Sequence, residues 1–302
     1  MSRIVVTGGS GRLGRSVVAG LAAAGHEVIS FDRAANPDIP QQQIAVDLTD
    51  LSAAAEAFER ARPDAVIQLA AIAVPFSAPE ERILSTNTAL AYNVVRSAIE
   101  SGASRIVVAS SPTVVGYGSP AGWLPSRLPI DEVEPARPWN AYALSKLVAE
   151  RVMGMFAAAY GDAVRLAAFR PCFVIAPDEW DGAPTQQGHT VLERLEEPAL
   201  SAPALFNYVD ARDVADFLDV LLAGMAEIPN GETFFVGAAD ALARRPLAEL
   251  LPEFVPGTEA LAAELTGTAP AFSTQKARRL LGWAPARSWR TELTLEPQEI
   301  PA

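Results

Sequence analysis

The stretch VVTGGSGRLGRSV, residues 5–17, passes from an apolar run through four glycines into a helical pattern. Gly8, Gly11 and Gly14 form G-x-x-G-x-x-G at that junction. Where a strand turns into a helix, absent side chains let a pyrophosphate approach the backbone, and the helix N-terminus offers it N–H groups. Glycines also serve tight turns for purely conformational reasons, so the flanking sequence has to decide between a ligand cradle and an ordinary turn.

The flanks alternate. Apolar, β-rich runs at 3–7, 27–31, 43–47, 64–70, 104–110 and 164–169 are separated by helical patterns near 12–24, 50–61, 80–101 and 141–160. Continuous apolar strands separated by helices predict a parallel sheet covered on both faces, which is an α/β, doubly wound (Rossmann) architecture. Past residue 170 the alternation fades into RPCFVIAPDEWDGAPTQQGH, residues 170–189, a surface excursion or a binding loop. Regular patterns return as a helix at 211–224, a strand at 232–237 and a short helix closed by Gly282 and Pro285. The expected division is a dinucleotide-binding domain over 1–169, joined again by 206–237, with 170–302 mainly a small C-terminal substrate-binding lobe.

Within that frame the second strand ends in SFDRAAN, which places Asp32 18 positions beyond Gly14. A carboxylate there accepts hydrogen bonds from the ribose hydroxyls of an adenosine and repels a 2′-phosphate, which favours NAD over NADP. Arg33 pulls the other way, because a guanidinium beside the ribose can pair with a 2′-phosphate; a solvated loop charge is its plainer explanation. Asp47, at the end of the third strand, has two readings, an adenine contact or a helix N-cap.

In NAYALSK, residues 140–146, Tyr142 and Lys146 stand i, i+4 on one helical face. A nearby ammonium lowers a phenol from its usual ~10, and a phenol so tuned can serve as general acid or base. Ser110 and Ser111 lie just past the carboxyl end of an apolar strand, the edge at which open α/β sheets bind ligands. A serine hydroxyl there can hold a substrate oxygen.

Composition narrows the alternatives. The 302-residue chain is 50% hydrophobic with a formal net charge of −12, enough to bury a large core. No Lys/Arg block offers itself to a nucleic-acid backbone. The single Cys172 excludes an internal disulfide, and no Cys/His spacing suggests a metal. Apolar stretches stop short of the ~20 residues a membrane span needs, and no signal sequence is visible, so a cytoplasmic protein is expected.

Taken with TGGSGRLG, LAAIAVP, Asn87 before a helix, ASSPTVVGYG, FRP, NYVDARDVADF and KARRLLGWAP, these features resemble the extended short-chain dehydrogenase/reductases, the NAD-dependent epimerase/dehydratase family. The resemblance spans nearly the whole chain. It implies Tyr142 as catalytic acid/base, Lys146 on the nicotinamide ribose, and Ser111 on the reacting oxygen. It further implies a cofactor site of Gly8, Gly11, Arg12, Leu13, Gly14, Asp32, Arg33, Asp47, Leu48, Leu69, Ala70, Ala71, Asn87, Tyr142, Lys146 and Pro171. Helices 85–101 and 141–158 carry apolar stripes, which covering the sheet could explain; the resemblance implies that this pair forms a homodimer interface.

Departures from the family pattern bear on the substrate. Pro112 and Thr113 follow Ser111 where dehydratases carry an Asp-Glu pair. Phe206 and Phe173 stand where nucleotide-sugar epimerases carry an arginine and an asparagine for the diphosphate, with Arg194, Arg244 and Arg245 as candidate substitutes. The ASSPTVVGYG loop is similar to that of uronate dehydrogenases, and Arg170 falls where those enzymes have a substrate-region arginine. A structural ion pair beneath the sheet is the other reading of Arg170. Ser111, Thr113, Arg170, Phe173, Gln187 and His189 are the candidate substrate contacts, with Gln186 and Trp180 as lesser ones. The expected activity is hydride transfer between NAD(P) and a secondary alcohol of a sugar-like or other small substrate, the alternative being a nucleotide-sugar epimerase with tightly held NAD.

Overall fold

The computed structural model describes residues 1–293. The strands are β1 (Arg3–Thr7), β2 (Glu27–Asp32), β3 (Gln42–Ala45), β4 (Ala65–Gln68), β5 (Arg105–Ala109), β6 (Arg165–Pro171), β7 (Val174–Ile175), β8 (Val209–Asp210) and β9 (Glu232–Val236). The α-helices are α1 (Arg12–Ala23), α2 (Leu51–Ala61), α3 (Glu80–Glu100), α4 (Ala141–Tyr160), α5 (Pro177–Trp180), α6 (Val191–Glu196), α7 (Ala211–Gly224), α8 (Leu247–Phe254), α9 (Glu259–Ala262), α10 (Gln275–Leu281) and α11 (Trp289–Glu292). Seven strands form one sheet in the order β3-β2-β1-β4-β5-β6-β9, parallel throughout from β3 to β6. The expected doubly wound sheet is present.

Alternate residues of the central strands feed opposite faces. Val5, Phe31, Val66, Ile106, Val108 and Leu166 pack under α2, α3 and α4, joined by Phe58, Val94 and Phe156. On the other face Phe169, Phe217 and Phe234 stack at centroid distances of 6.2 and 5.9 Å. Because β1 lies between β2 and β4, the winding reverses at β1/β4, and the carboxyl ends of those strands open the crevice where such sheets bind ligands.

Two compact units divide the chain. The first is Met1–Val114, Ala136–Arg170 and Ala215–Phe234; the second is Val115–Pro135, Pro171–Val214 and the chain from Phe235 on. This cut differs from 1–169 plus 206–237. Val115–Pro135 leaves the sheet because Ile130 exchanges backbone hydrogen bonds with Ala271 and Ser273 at 2.7 and 2.8 Å, within the second unit. That unit has its own core of Ile175, Trp180, Val191, Leu195, Tyr208, Leu242 and Trp289 beside the two-stranded β7–β8 ladder.

Candidate active site

The glycine turn is shaped by its neighbours. Gly8 has φ 71°, and a Cβ on it would come 2.8 Å from the Ala70 backbone nitrogen, while one on Gly14 would overlap the Gly8 carbonyl and approach Gly9 Cα to 2.7 Å. These two glycines are required by the fold itself. Gly11 is not: its φ is −73°, it is exposed, and its Cβ would meet only the Gly8 carbonyl at 3.2 Å. Gly11 is also the N-cap of α1, without a side-chain cap and with no acid in the first turn, so the first N–H groups of a 12-residue helix are left for an anion. A side chain at Gly11 would stand over those donors. The cradle fits a pyrophosphate.

Its rim comes from β2 and β4. Asp32 accepts from Arg33 N at 2.7 Å and Ser10 N at 3.1 Å, which fixes its carboxylate beside the glycine turn. Leu69–Ala71 is drawn against Gly8 because Thr7 accepts from Leu69 N at 3.1 Å and, through its hydroxyl, from Ala70 N at 3.3 Å. Arg12 and Leu13 are half-buried in the first turn of α1. Arg33 is exposed, and its charge helps hold Asp47 below the usual carboxylate range, chiefly an effect of the Thr49 hydroxyl and N–H on that carboxylate.

Asp47, Leu48 and Asn87, the remaining expected cofactor contacts, have protein partners of their own. Asp47 is not the N-cap of α2; Asp50 is, accepting from Ser52 N and Ala53 N, because helix geometry begins three residues later. The Leu48 side chain is buried in the core, and its carbonyl accepts from Asn93 Nδ2 at 3.1 Å. Asn87 spends its amide on the protein, with Oδ1 accepting from Ile72 N at 2.7 Å and Nδ2 donating to Ile72 O and Ser145 Oγ. It ties the segment after β4 to α4.

Ser111, Tyr142 and Lys146 converge at the end of β5. Asn140 caps α4 by accepting from Ala143 N at 2.9 Å, and Glu80 accepts from Ala141 N at 3.1 Å, so the helix start that carries Tyr142 is held from two sides. Tyr142 packs on Ile83 and Ala141, with Ile72, Ala78 and Leu84 beside them. Ser111 lies close enough to the Tyr142 phenol to favour its ionised form, and Thr113 donates its hydroxyl proton to Ser111 Oγ at 2.9 Å. The Lys146 ammonium donates to Ala109 O at 3.0 Å and lies 5.8 Å from the Tyr142 ring centroid. The structure thus brings Ser111, Tyr142 and Lys146 together.

Their electrostatics differ from the expectation that lysine lowers the phenol. Burial dominates: it pushes Tyr142 up to about 12 against a smaller opposing effect of the Ser111 hydroxyl, and it pulls Lys146 down to about 8. At neutral pH Tyr142 carries its proton.

Three of the expected substrate contacts, Arg170, Phe173 and Gln187, have protein partners. Arg170 forms a buried, two-pronged pair with Glu150, Nε to Oε1 at 2.7 Å and Nη2 to Oε2 at 3.0 Å, so the ion-pair reading replaces the substrate one. In the second unit Phe173 lies 4.3 Å under the Arg194 guanidinium, and Gln187 Oε1 accepts from that same guanidinium. Trp180 is buried and donates to Asp210 at 2.7 Å. His189 and Gln186 are exposed and Pro171 is half-buried. Of the candidate diphosphate arginines, Arg194 is buried on Leu200 O and Thr185, and Arg245 pairs with Glu249 and Glu253. Phe206 is buried edge-on to Phe254.

Glu150 escaped the sequence reading, although its i+4 spacing from Lys146 marks it as sharing that face. So did Phe76 and Trp139, an exposed aromatic pair 5.8 Å apart on the segments that lead to Ala78 and Tyr142. Among the described residues no helix is long and apolar enough to cross a membrane, and no cluster of three His, Cys, Asp or Glu could hold a metal.

A uronate dehydrogenase from Agrobacterium fabrum is 30% identical over 68% of this chain and 74% of its own length. A UDP-glucose 4-epimerase from Lacticaseibacillus casei is 24% identical over 93% and 91%. A crystal structure of a short-chain dehydrogenase/reductase superfamily protein from Agrobacterium tumefaciens with bound NAD superposes at TM-score 0.71 with 22% identity, over 96% of this chain and 94% of that one. Residues 4–237 match the NAD dependent epimerase/dehydratase family, and the chain is a member of it, an NAD-dependent enzyme of the extended short-chain dehydrogenase/reductase type.

Proposed function

We propose that the protein is an NAD-dependent dehydrogenase of a small hydroxylated, sugar-like substrate. The observation that carries this is the convergence of Ser111 and the Lys146 ammonium on the Tyr142 phenol, at the carboxyl end of β5. When bound, NAD supplies the hydride acceptor; Gly8–Gly14 and Asp32 would hold its pyrophosphate and adenosine ribose. Ser111 positions the substrate oxygen. As phenolate, Tyr142 takes the hydroxyl proton during oxidation, and as phenol it gives that proton back during reduction. Lys146, beside the phenol ring, would hold the nicotinamide ribose.

Asp32 sits beside the turn while Arg33 is exposed and close enough to Asp47 to act on its charge, so NAD should bind at least tenfold more tightly than NADP, about 1.4 kcal/mol. Dissociation constants measured by fluorescence titration check this. Asp32→Ala should narrow the gap, and equal binding of the two cofactors by the unaltered protein would return the credit to Arg33.

For the substrate, the second unit offers a diphosphate little. Arg194 and Arg245 are engaged with the protein, and Phe206 is buried; an anion without a cationic partner is costly to desolvate. Phe76 and Trp139 instead offer an exposed aromatic surface to a ring bearing C–H groups. NADH appearance across free uronates, neutral sugars and nucleotide sugars should favour free sugars, uronates first by likeness to the Agrobacterium relative. Turnover confined to nucleotide sugars, without released NADH, would establish the epimerase instead, the activity named for the Lacticaseibacillus relative.

The same reading extends to assembly. Tyr92, Leu144, Met155 and Tyr160 are exposed on α3 and α4, with Tyr92, Phe156 and Tyr160 in a run of rings 5.7 and 6.2 Å apart. A second copy covers this face. Light scattering at micromolar concentration should give a homodimer, and a monomer would overturn the assignment.

A further inference from the structure

Two buried cations, Lys146 and Arg170, lie near the end of β5 with one buried carboxylate, Glu150, paired to the second of them. Glu150 lies one helical turn after Lys146 on α4, the spacing at which lysine and glutamate ordinarily pair. Its contacts go elsewhere: Oε1 accepts from Ser110 Oγ at 2.6 Å and from Arg170 Nε at 2.7 Å, and Oε2 accepts from Arg170 Nη2 at 3.0 Å. Arg170 and Glu150 are 7% and 10% exposed at their side chains. Lys146, equally buried, is left with the Ala109 carbonyl and the face of Tyr142.

Geometry explains the outcome. A guanidinium presents two parallel donors to two carboxylate oxygens, a match an ammonium cannot make. We propose that Arg170 is a positioning residue: by binding and neutralising Glu150 it denies that carboxylate to Lys146, and so leaves the lysine's ammonium at Ala109 and Tyr142. A Glu150–Lys146 pair would draw the ammonium toward the following turn of α4 and cancel the charge that the site uses. The groups shown against the Lys146 ammonium are the Ala109 carbonyl at the end of β5 and the Tyr142 ring on α4; the charged groups on the packed elements are Glu150, one turn on along α4, and Arg170 on β6, paired with each other, with Ser111 on Tyr142 and neutral Asn87 on Ser145. With Glu150 occupied, burial alone sets the direction of the Lys146 shift, downward to about 8.

This inference rests on the role given to Lys146 under the proposed function, and its test is read on protein without cofactor or substrate, so either can fail alone. The chain has only two lysines, Lys146 and Lys276. Lysine labelled with 13C at Cε in a Lys276→Arg background therefore yields one NMR signal whose pH titration is that of Lys146. In Arg170→Met the freed carboxylate should raise the Lys146 pKa by about one unit or more. In Glu150→Gln the uncompensated guanidinium should lower it by about half a unit. The double variant should titrate close to the unaltered protein. In turnover, Arg170→Met should lose about tenfold in kcat and regain most of it in the double variant. If Arg170→Met does not fold, the isosteric Glu150→Gln decides alone. A Lys146 titration unmoved in the folded single variants, or a double variant no better than Arg170→Met, overturns the proposal.

Discussion

Replacing Tyr142 with phenylalanine is expected to lower turnover about 10²-fold or more while leaving NAD affinity within about twofold, in line with the loss of a general acid/base. The substitution removes one oxygen from a ring whose packing on Ile83 and Ala141 is otherwise retained. The pH dependence sharpens the test. Burial holds the phenol near 12, so below that value the phenolate fraction of the free enzyme rises tenfold per pH unit. The kcat/KM for alcohol oxidation should climb with pH on its alkaline side, and carbonyl reduction, which needs the protonated phenol, should not. Steady-state rates in both directions from pH 6 to 10 measure this. A phenylalanine variant with near-normal turnover, or with the same pH slope as the unaltered protein, would remove Tyr142 from the chemistry.

Glu150→Leu is expected to destabilise the protein by about 3–5 kcal/mol, the usual cost of leaving one member of a buried ion pair without its partner. Arg170 would then keep a charge that is 7% exposed at its side chain, and the Ser110 hydroxyl would lose its 2.6 Å acceptor. Against a typical total of about 5–15 kcal/mol, that is a large share of the stability. Urea denaturation of the cofactor-free protein, compared at equal slope, gives the number. The double variant Glu150→Leu with Arg170→Met should recover most of the loss, since apolar side chains of similar volume replace buried ion pairs at little cost. A Glu150→Leu variant within about 1 kcal/mol of the unaltered protein would show that water reaches the guanidinium and that the pair is not the anchor its burial indicates.

Much of the molecule was legible because its signals are local. Strand and helix alternation is written in the period of the apolar residues, and β1, α4 and α7 begin and end where that period does. Asp32 follows Gly14 by a distance that a βαβ unit sets. Tyr142 and Lys146 share a face because any helix puts i and i+4 together. The family resemblance drew on the same linear motifs, and residues 4–237 match that family.

What escaped was every question of partnership across the chain. Arg170 could serve a substrate or an ion pair on sequence grounds, and the choice fell to Glu150, 20 positions away and brought beside it by the packing of α4 on β6. Trp180 read as a binding-loop residue and Phe206 as standing at a diphosphate position, yet both are buried within the second unit, because tertiary folding decides which apolar side chains are covered. The direction of the Tyr142 shift was also a tertiary matter. Spacing supplied the ammonium, but the cost of taking a phenolate out of water exceeds what a cation about 6 Å from the ring returns, so the phenol keeps its proton. The sequence alone determined the doubly wound sheet, the glycine turn and the Tyr142–Lys146 face, since periodicity and helix geometry act over a few residues. Only the tertiary structure decided which charges are buried and with whom, because desolvation and ion pairing depend on residues that meet solely when the chain is folded.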